Sequence, residues 1–277
     1  MHRWLFPCLL LLAGLAMRGD RLVAAPYAAQ PTQADEAMRV DVELVLAVDI
    51  SYSMDVDELA VQREGYAEAI TSPDFLRALK SGPTGKVAVT FFEWASAADQ
   101  KIVVAWRVID GPESADAVAA EILKAPLRRA SRTSISGAIN FAMPLFEQNP
   151  YRGLRRVIDI SGDGPNNNGE PVTIARDAAV AKGVIINGLP IMMKETNFAT
   201  MDIENLDYYY EDCVIGGPGA FVVPIKNREK FKEAIRTKLV LEVAGRMPEG
   251  RVVPVAANEP RVPCGIGEKM WRERWGQ

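Results

Sequence analysis

One run constrains this 277-residue chain more than any other: Leu44-Val45-Leu46-Ala47-Val48, apolar at every position and broken off at Asp49. A half-buried strand alternates and a surface helix carries one apolar stripe. A run with no polar position has no solvent face, so it reads as a central strand covered by helices on both sides. Asp49 is then the last residue before the chain leaves the sheet, and Ile50-Ser51-Tyr52-Ser53-Met54 follows. In open α/β sheets ligands bind outside the carboxyl ends of the strands, which makes Asp49, Ser51 and Ser53 a candidate site. All three offer oxygen. A carboxylate with hydroxyls suits a hard cation such as Mg2+ or Mn2+, whereas zinc or copper calls for imidazole or thiolate.

The rest of the chain alternates around that strand. Further strands are expected at 86–92, at 102–109 (an edge, forming a hairpin with its predecessor across 93–101), at 156–160, 184–191 and 220–225. Between them lie helical patterns. Asp55 and Glu58 form a capping box for a helix to about Ile70 that turns Leu59, Tyr66 and Ile70 inward and is ended by Thr71-Ser72-Pro73. Ala115, Val118, Ala119, Ile122 and Leu123 share one helix face, closed by Pro126. Ile135, Ala138, Ile139, Ala142 and Phe146 share the next. Pro171 opens a helix that Gly183 stops, 203–210 reads as a helix bearing three tyrosines, and Phe231, Ile235 and Leu239 recur at intervals of four. This alternation predicts a doubly wound α/β fold, with a mainly parallel sheet, one antiparallel edge strand and helices on both faces. The composition, 48% hydrophobic and 25% charged, supplies one large core.

The ends of the chain set its compartment. His2 and Arg3 precede an apolar run from Leu5 to Met17, too short to span a bilayer and right for a secretory signal, so residues 1–29 are expected to be removed and the protein to be periplasmic or secreted. The cleavage point stays open between Ala16 and Ala29. Residues 30–41 form a polar lead-in, 42–243 the domain, and 244–277 an irregular tail rich in Pro, Gly and Arg, ending in Trp271 and Trp275. Loss of Arg3, Arg18, Arg21 and Asp20 takes the formal charge from −4 to about −6, which argues against nucleic acid as a partner. His2 is the one histidine, so the exported chain has no Ser-His or Cys-His couple and no histidine-bound zinc. Cys213 and Cys264 remain after export, either as a disulfide or as two buried thiols. The oxidising compartment makes the disulfide the expectation. No asparagine lies in an Asn-x-Ser/Thr sequon, which favours a bacterial periplasm.

Two more oxygen donors stand at loop ends of the same pattern, Thr133 just before a helix and Asp163 just after a strand, in the loop Ser161-Gly162-Asp163-Gly164-Pro165-Asn166-Asn167-Asn168-Gly169. With Asp49, Ser51 and Ser53 they form an order of motifs that resembles the von Willebrand factor type A (VWA) family. Its metal ion-dependent adhesion site, or MIDAS, combines Asp-x-Ser-x-Ser with a distant Thr and a more distant Asp. Phe91-Phe92-Glu93-Trp94 and the stretch from Asp212 to Gly219 resemble an exported bacterial branch of that family. The family often has glycines before the Thr, whereas Ser131 and Arg132 stand here. Arg132 brings a positive charge that a bound cation would repel unless an anion or Glu93 shields it.

The resemblance implies a non-enzymatic module in which Mg2+ or Mn2+, held by Asp49, Ser51, Ser53, Thr133 and Asp163, takes up an Asp or Glu carboxylate from a protein partner. Three neutral hydroxyl ligands leave such a cation electrophilic toward an outside carboxylate. The alternative is a metal-assisted hydrolase acting on phosphoryl or acyl substrates, for which no base stands apart from Asp49, Asp163 and Glu93. A nucleotide site on the 161–169 loop lacks Walker or Rossmann glycine spacing. Tyr52 and Trp94 are assigned to an aromatic rim around the ion. In the competing arrangement Trp94 packs inward beneath the loop and Tyr52 covers the first helix.

Overall fold

The apolar run at residues 44–48 lies in the middle strand of a five-stranded sheet. This computed structural model describes residues 37–193, 202–245 and 259–276, which fall in one compact unit, Ala37–Gln277. The strands are β1 (Met38–Asp49), β2 (Val87–Trp94), β3 (Gln100–Ile109), β4 (Tyr151–Gly162) and β5 (Val184–Pro190), in the order β3-β2-β1-β4-β5. β1 runs parallel to β2 and β4, and β4 to β5. β3 is the antiparallel edge, joined to β2 by the expected hairpin.

The two faces of β1 feed two cores. Val42, Leu44, Leu46 and Val48 pack on α1 (Val56–Thr71), α2 (Pro73–Lys80), α3 (Pro112–Lys124) and α7 (Phe231–Ala244), through Leu59, Phe75, Val118 and Ile235 among others. Val45 and Ala47 pack on the other side with α4 (Ile135–Leu145), α5 (Val172–Ala181) and α6 (Leu206–Tyr209), through Ile139, Ala175 and Tyr209. Strand order reverses about β1, so the loops after β1 and β4 leave side by side at the carboxyl edge, where a doubly wound sheet opens a crevice.

Several expectations need correction. Thr71-Ser72-Pro73 ends α1 but also begins α2: the Ser72 hydroxyl accepts from the Phe75 N–H and Pro73 takes the first turn, where its missing N–H is harmless. The fourth strand is longer than 156–160. Residues 220–225 do not form a strand. They meet β5 and the residues just after it at the bridges Gly188↔Val222 and Ile191↔Ile225, where the Val223 and Ile225 N–H groups donate to the Gly188 and Pro190 carbonyls, but Pro190 has no N–H to return to the Val223 carbonyl and the ladder breaks there. The tyrosine helix is shorter than expected, α6 giving way to a π-turn at Tyr210–Val214. Leu123 points to solvent. The tail is not wholly irregular: α8 (Ile266–Trp275) is a regular helix with Trp271 and Trp275 stacked on it. The signal at 1–29 and most of the lead-in lie outside the described residues.

Candidate metal centre

Asp49 closes β1 with its side chain fully buried. One carboxylate oxygen, Oδ1, accepts the Ser51 N–H at 2.7 Å, while Oδ2 has no hydrogen-bond partner. The chain then turns so that Ser51 and Ser53 bring their hydroxyls 2.8 Å apart, and the Ser53 hydroxyl donates to Asp163 Oδ1 at 2.6 Å. Asp163 follows β4 directly and is itself buried. Gly162 makes this closeness possible: a Cβ there would stand 2.9 Å from Asp49 Oδ2 and 3.0 Å from the Tyr210 hydroxyl. Two carboxylates thus meet at the switch point with one buried oxygen left unsatisfied. Burial pushes the Asp49 carboxyl well above the usual carboxylate range, and the Asp163 charge pushes it further. A cation between them would reverse both effects.

Thr133 is carried to the same place by its loop. Ala130 bridges Ser51, its N–H donating to the Ile50 carbonyl at 3.0 Å, and Thr133 is buried beside the 163–169 loop, its Oγ1 lying 4.0 Å from where a Cβ on Gly164 would stand. Three successive asparagines do the joining. Asn167 Oδ1 accepts from the Thr133 N–H at 3.0 Å, and its own N–H donates to the Thr133 carbonyl. Asn168 offers its carbonyl to the Ser134 hydroxyl and its Oδ1 to the Ala97 N–H. Asn166, fully buried, accepts from the Ser136 N–H and donates to Glu268 on α8. Sequence reasoning took this run only as turn-forming. Its signal was present in the polarity of three adjacent amides, each able to satisfy both donors and acceptors of a neighbouring loop.

The rim differs from expectation. Trp94 pairs with Asp49 across β1 and β2, but its ring is fully buried among Phe92, Ile135 and Ile160, so it is a core residue and not a rim residue. An inward position follows from β2 being buried along its whole length. Tyr52 is 61% exposed, with the Arg129 guanidinium 5.4 Å from its ring centre. Glu93 does not shield Arg132. It is held by Arg63, whose Nε donates to it at 3.0 Å. Arg132 instead lies over the Trp271 ring at 3.2 Å from its centre. Among the described residues it is the one non-glycine with positive φ, 76°.

The family model for a protein of unknown function, DUF1194, matches residues 39–247. The chain belongs to this family. Its fold is that of VWA domains. No curated protein matches the chain. Among solved structures, proximal thread matrix protein 1 from the mussel byssus, with a zinc-occupied MIDAS motif, aligns at a TM-score of 0.50 and 14% identity over 76% of this chain and 49% of its own. The von Willebrand factor type A protein from Catenulispora acidiphila aligns at 0.51 and 13%, over 75% and 43%. The pilus adhesin SpaC from Lactobacillus rhamnosus GG aligns at 0.54 and 11%, over 74% and 30%. This chain therefore spans less than half the length of each.

In this DUF1194 chain the donors fit a hard cation by type, two carboxylates and three hydroxyls. Among the described residues no three His, Cys, Asp or Glu side chains cluster as a metal cage, so an ion at the switch point would depend on the serine and threonine oxygens. Cys213 and Cys264 are joined, which ties the segment before α8 to the π-turn. No helix among the described residues is long and apolar enough to cross a membrane.

Proposed function

We propose that the chain is an exported, non-enzymatic VWA module that binds one divalent cation, Mg2+ or Mn2+, and through it a carboxylate of a protein partner. Asp49, Ser51, Ser53, Thr133 and Asp163 would hold the ion. The observation that carries the reading is Asp49 Oδ2: a fully buried carboxylate oxygen without a hydrogen-bond partner, in a crevice shared with a second buried carboxylate. Leaving such an atom unsatisfied costs more than an ordinary lost hydrogen bond, and a cation is the group that would satisfy it. When bound, the ion supplies an electrophilic position open to an outside oxygen. The chain's own part is to orient the five donors: the Ser51 N–H fixes the Asp49 carboxylate, Ser53 links to Asp163, and Asn167 holds the backbone of Thr133. Proteins of like fold include an adhesin and a matrix protein with a zinc-occupied MIDAS, which supports a binding role.

Calorimetry tests this. The natural chain is expected to bind one Mg2+, with about 2.7 kcal/mol of added stability when the ion is at a hundred times its dissociation constant, and Asp49→Ala is expected to lose both. Unchanged magnesium affinity in Asp49→Ala would overturn the reading. Turnover of a phosphoester by the purified protein, lost in the same variant, would replace it with the hydrolase alternative.

A further inference from the structure

The loop that delivers Thr133 is basic, in a chain whose formal charge is −4, and its three arginines are not used alike. Arg128 pairs with Asp99. Arg129 and Arg132 meet no carboxylate among the described residues. Arg129 donates to the Tyr52 carbonyl at 2.5 Å and lies by the Tyr52 ring, while Arg132 rests on Trp271. Each therefore sits on an aromatic face beside a proposed ion ligand: Tyr52 lies between Ser51 and Ser53, and Arg132 directly precedes Thr133. Stacked guanidinium groups keep their charge and their donors while giving up little further freedom on binding. Arg132 also holds a left-handed backbone that favours glycine, the residue type often found before this Thr in the resembling family. Two arginines without acidic partners beside an ion of like charge make a self-repelling rim, which an anion of more than one charge would relieve.

We infer that Arg129 and Arg132 read an acidic segment of the partner, so that the ligand is a peptide stretch with several neighbouring Asp or Glu residues, one directed to the ion and the others to the two guanidinium groups. This rests on the proposed ion site and adds the class of partner. Arg–carboxylate pairs are bidentate and directional, so the two arginines would fix the run of the peptide across the crevice, where a lone carboxylate on the ion would leave it undirected.

The probe is a labelled, C-terminally amidated hexa-aspartate peptide, with an amidated hexa-glycine peptide carrying one aspartate as the single-carboxylate control and inorganic polyphosphate as the competing anion. The test variant is Arg129→Gln with Arg132→Gly, the glycine suiting the local φ. Arg39→Gln with Arg152→Gln, at the opposite end of the sheet, removes the same two charges and controls for net charge. Magnesium affinity and melting temperature are measured alongside for every protein. Hexa-aspartate is expected to bind the natural chain in magnesium and to weaken at least tenfold in the double variant, with magnesium affinity equal or tighter, and with single-carboxylate binding and the charge-control protein little changed. Equal hexa-aspartate binding by the double variant and the natural chain would overturn the inference and leave the ion site standing. Tighter, equally arginine-dependent binding of polyphosphate would overturn the acidic-peptide assignment. Arginine-dependent peptide binding that is indifferent to chelator, in a protein that binds no magnesium, would overturn the ion site and leave the arginine surface.

Discussion

Asn166 is the residue whose replacement tests most directly how the loop carrying Asp163 is held. Its side chain is fully buried and makes four hydrogen bonds: Oδ1 accepts from the Ser136 N–H at 3.0 Å and the Ser136 hydroxyl at 3.2 Å, and Nδ2 donates to the Glu170 carbonyl at 3.1 Å and Glu268 Oε1 at 2.8 Å. Asn166→Ala deletes all four and leaves a buried N–H and the Glu268 carboxylate unsatisfied; Glu268 Oε2 already has no hydrogen-bond partner. At roughly 1 kcal/mol per net bond, more where a partner stays buried, the loss is about 3 to 4 kcal/mol. Asn166→Asp keeps the shape and the acceptor toward Ser136 but turns an oxygen toward Glu268 and the Glu170 carbonyl. The new carboxyl's folded pKa would lie above its unfolded value, so its penalty is absent below about pH 4 and grows as pH rises toward neutrality. Urea unfolding at pH 7 and pH 4.5 is the assay. Both variants should be destabilised at pH 7, the aspartate variant should regain stability at the lower pH relative to the alanine one, and both should bind magnesium more weakly because the loop carries Asp163. Both variants unfolding within about 0.5 kcal/mol of the natural chain at pH 7 would refute the reasoning.

Two further outcomes follow from the buried groups. Asp159, Lys238 and Glu242 form a fully enclosed cluster, with Lys238 Nζ 2.5 Å from Asp159 and 2.6 Å from Glu242, and burial followed by the Glu242 charge raises the Asp159 carboxyl to about 7. Because the folded value exceeds the unfolded one, this contribution to stability is lost as pH rises from about 4 to about 7, by at most about 4 kcal/mol. Chelator-treated protein should show that slope in urea titrations and Asp159→Asn should flatten it. Trp94→Ala should cost about 3 to 5 kcal/mol, the range for deleting a buried aromatic ring, while Tyr52→Ala should leave unfolding within about 0.5 kcal/mol, which differential scanning calorimetry separates.

The fold was legible wherever a residue's environment depends on its near neighbours in the chain. The unbroken apolar run of β1 specified a strand covered on both faces, and the capping box at Asp55 and Glu58 is present with both its hydrogen bonds. Pro171 and Gly183 bracket α5. The 220–225 segment was misread for the complementary reason: its composition suits a strand, but a ladder needs an N–H at every second residue on the paired edge, and on the partner side Pro190 denies one between the Gly188 and Met192 N–H groups.

What the sequence alone determined is the order of Asp49, Ser51, Ser53, Thr133 and Asp163 and the element ends at which they stand, because an apolar strand or helix flanked by a polar loop is a local pattern. Only the tertiary structure decided how those donors are braced. The Asn166–Glu268 hydrogen bond spans 102 positions, and the helix it reaches, α8, buries only Gly267 and Met270, so no apolar stripe marked it in the tail. Gly267 sits where a Cβ would stand 2.1 Å from the Asn166 carbonyl oxygen, a closeness that no local spacing encodes. The same holds for the two unlike fates of Arg128 and Arg132, one paired with Asp99 and the other laid on Trp271. A side chain's partner across space is set by the packing of whole elements, and that packing is a property of the folded chain rather than of any stretch of it.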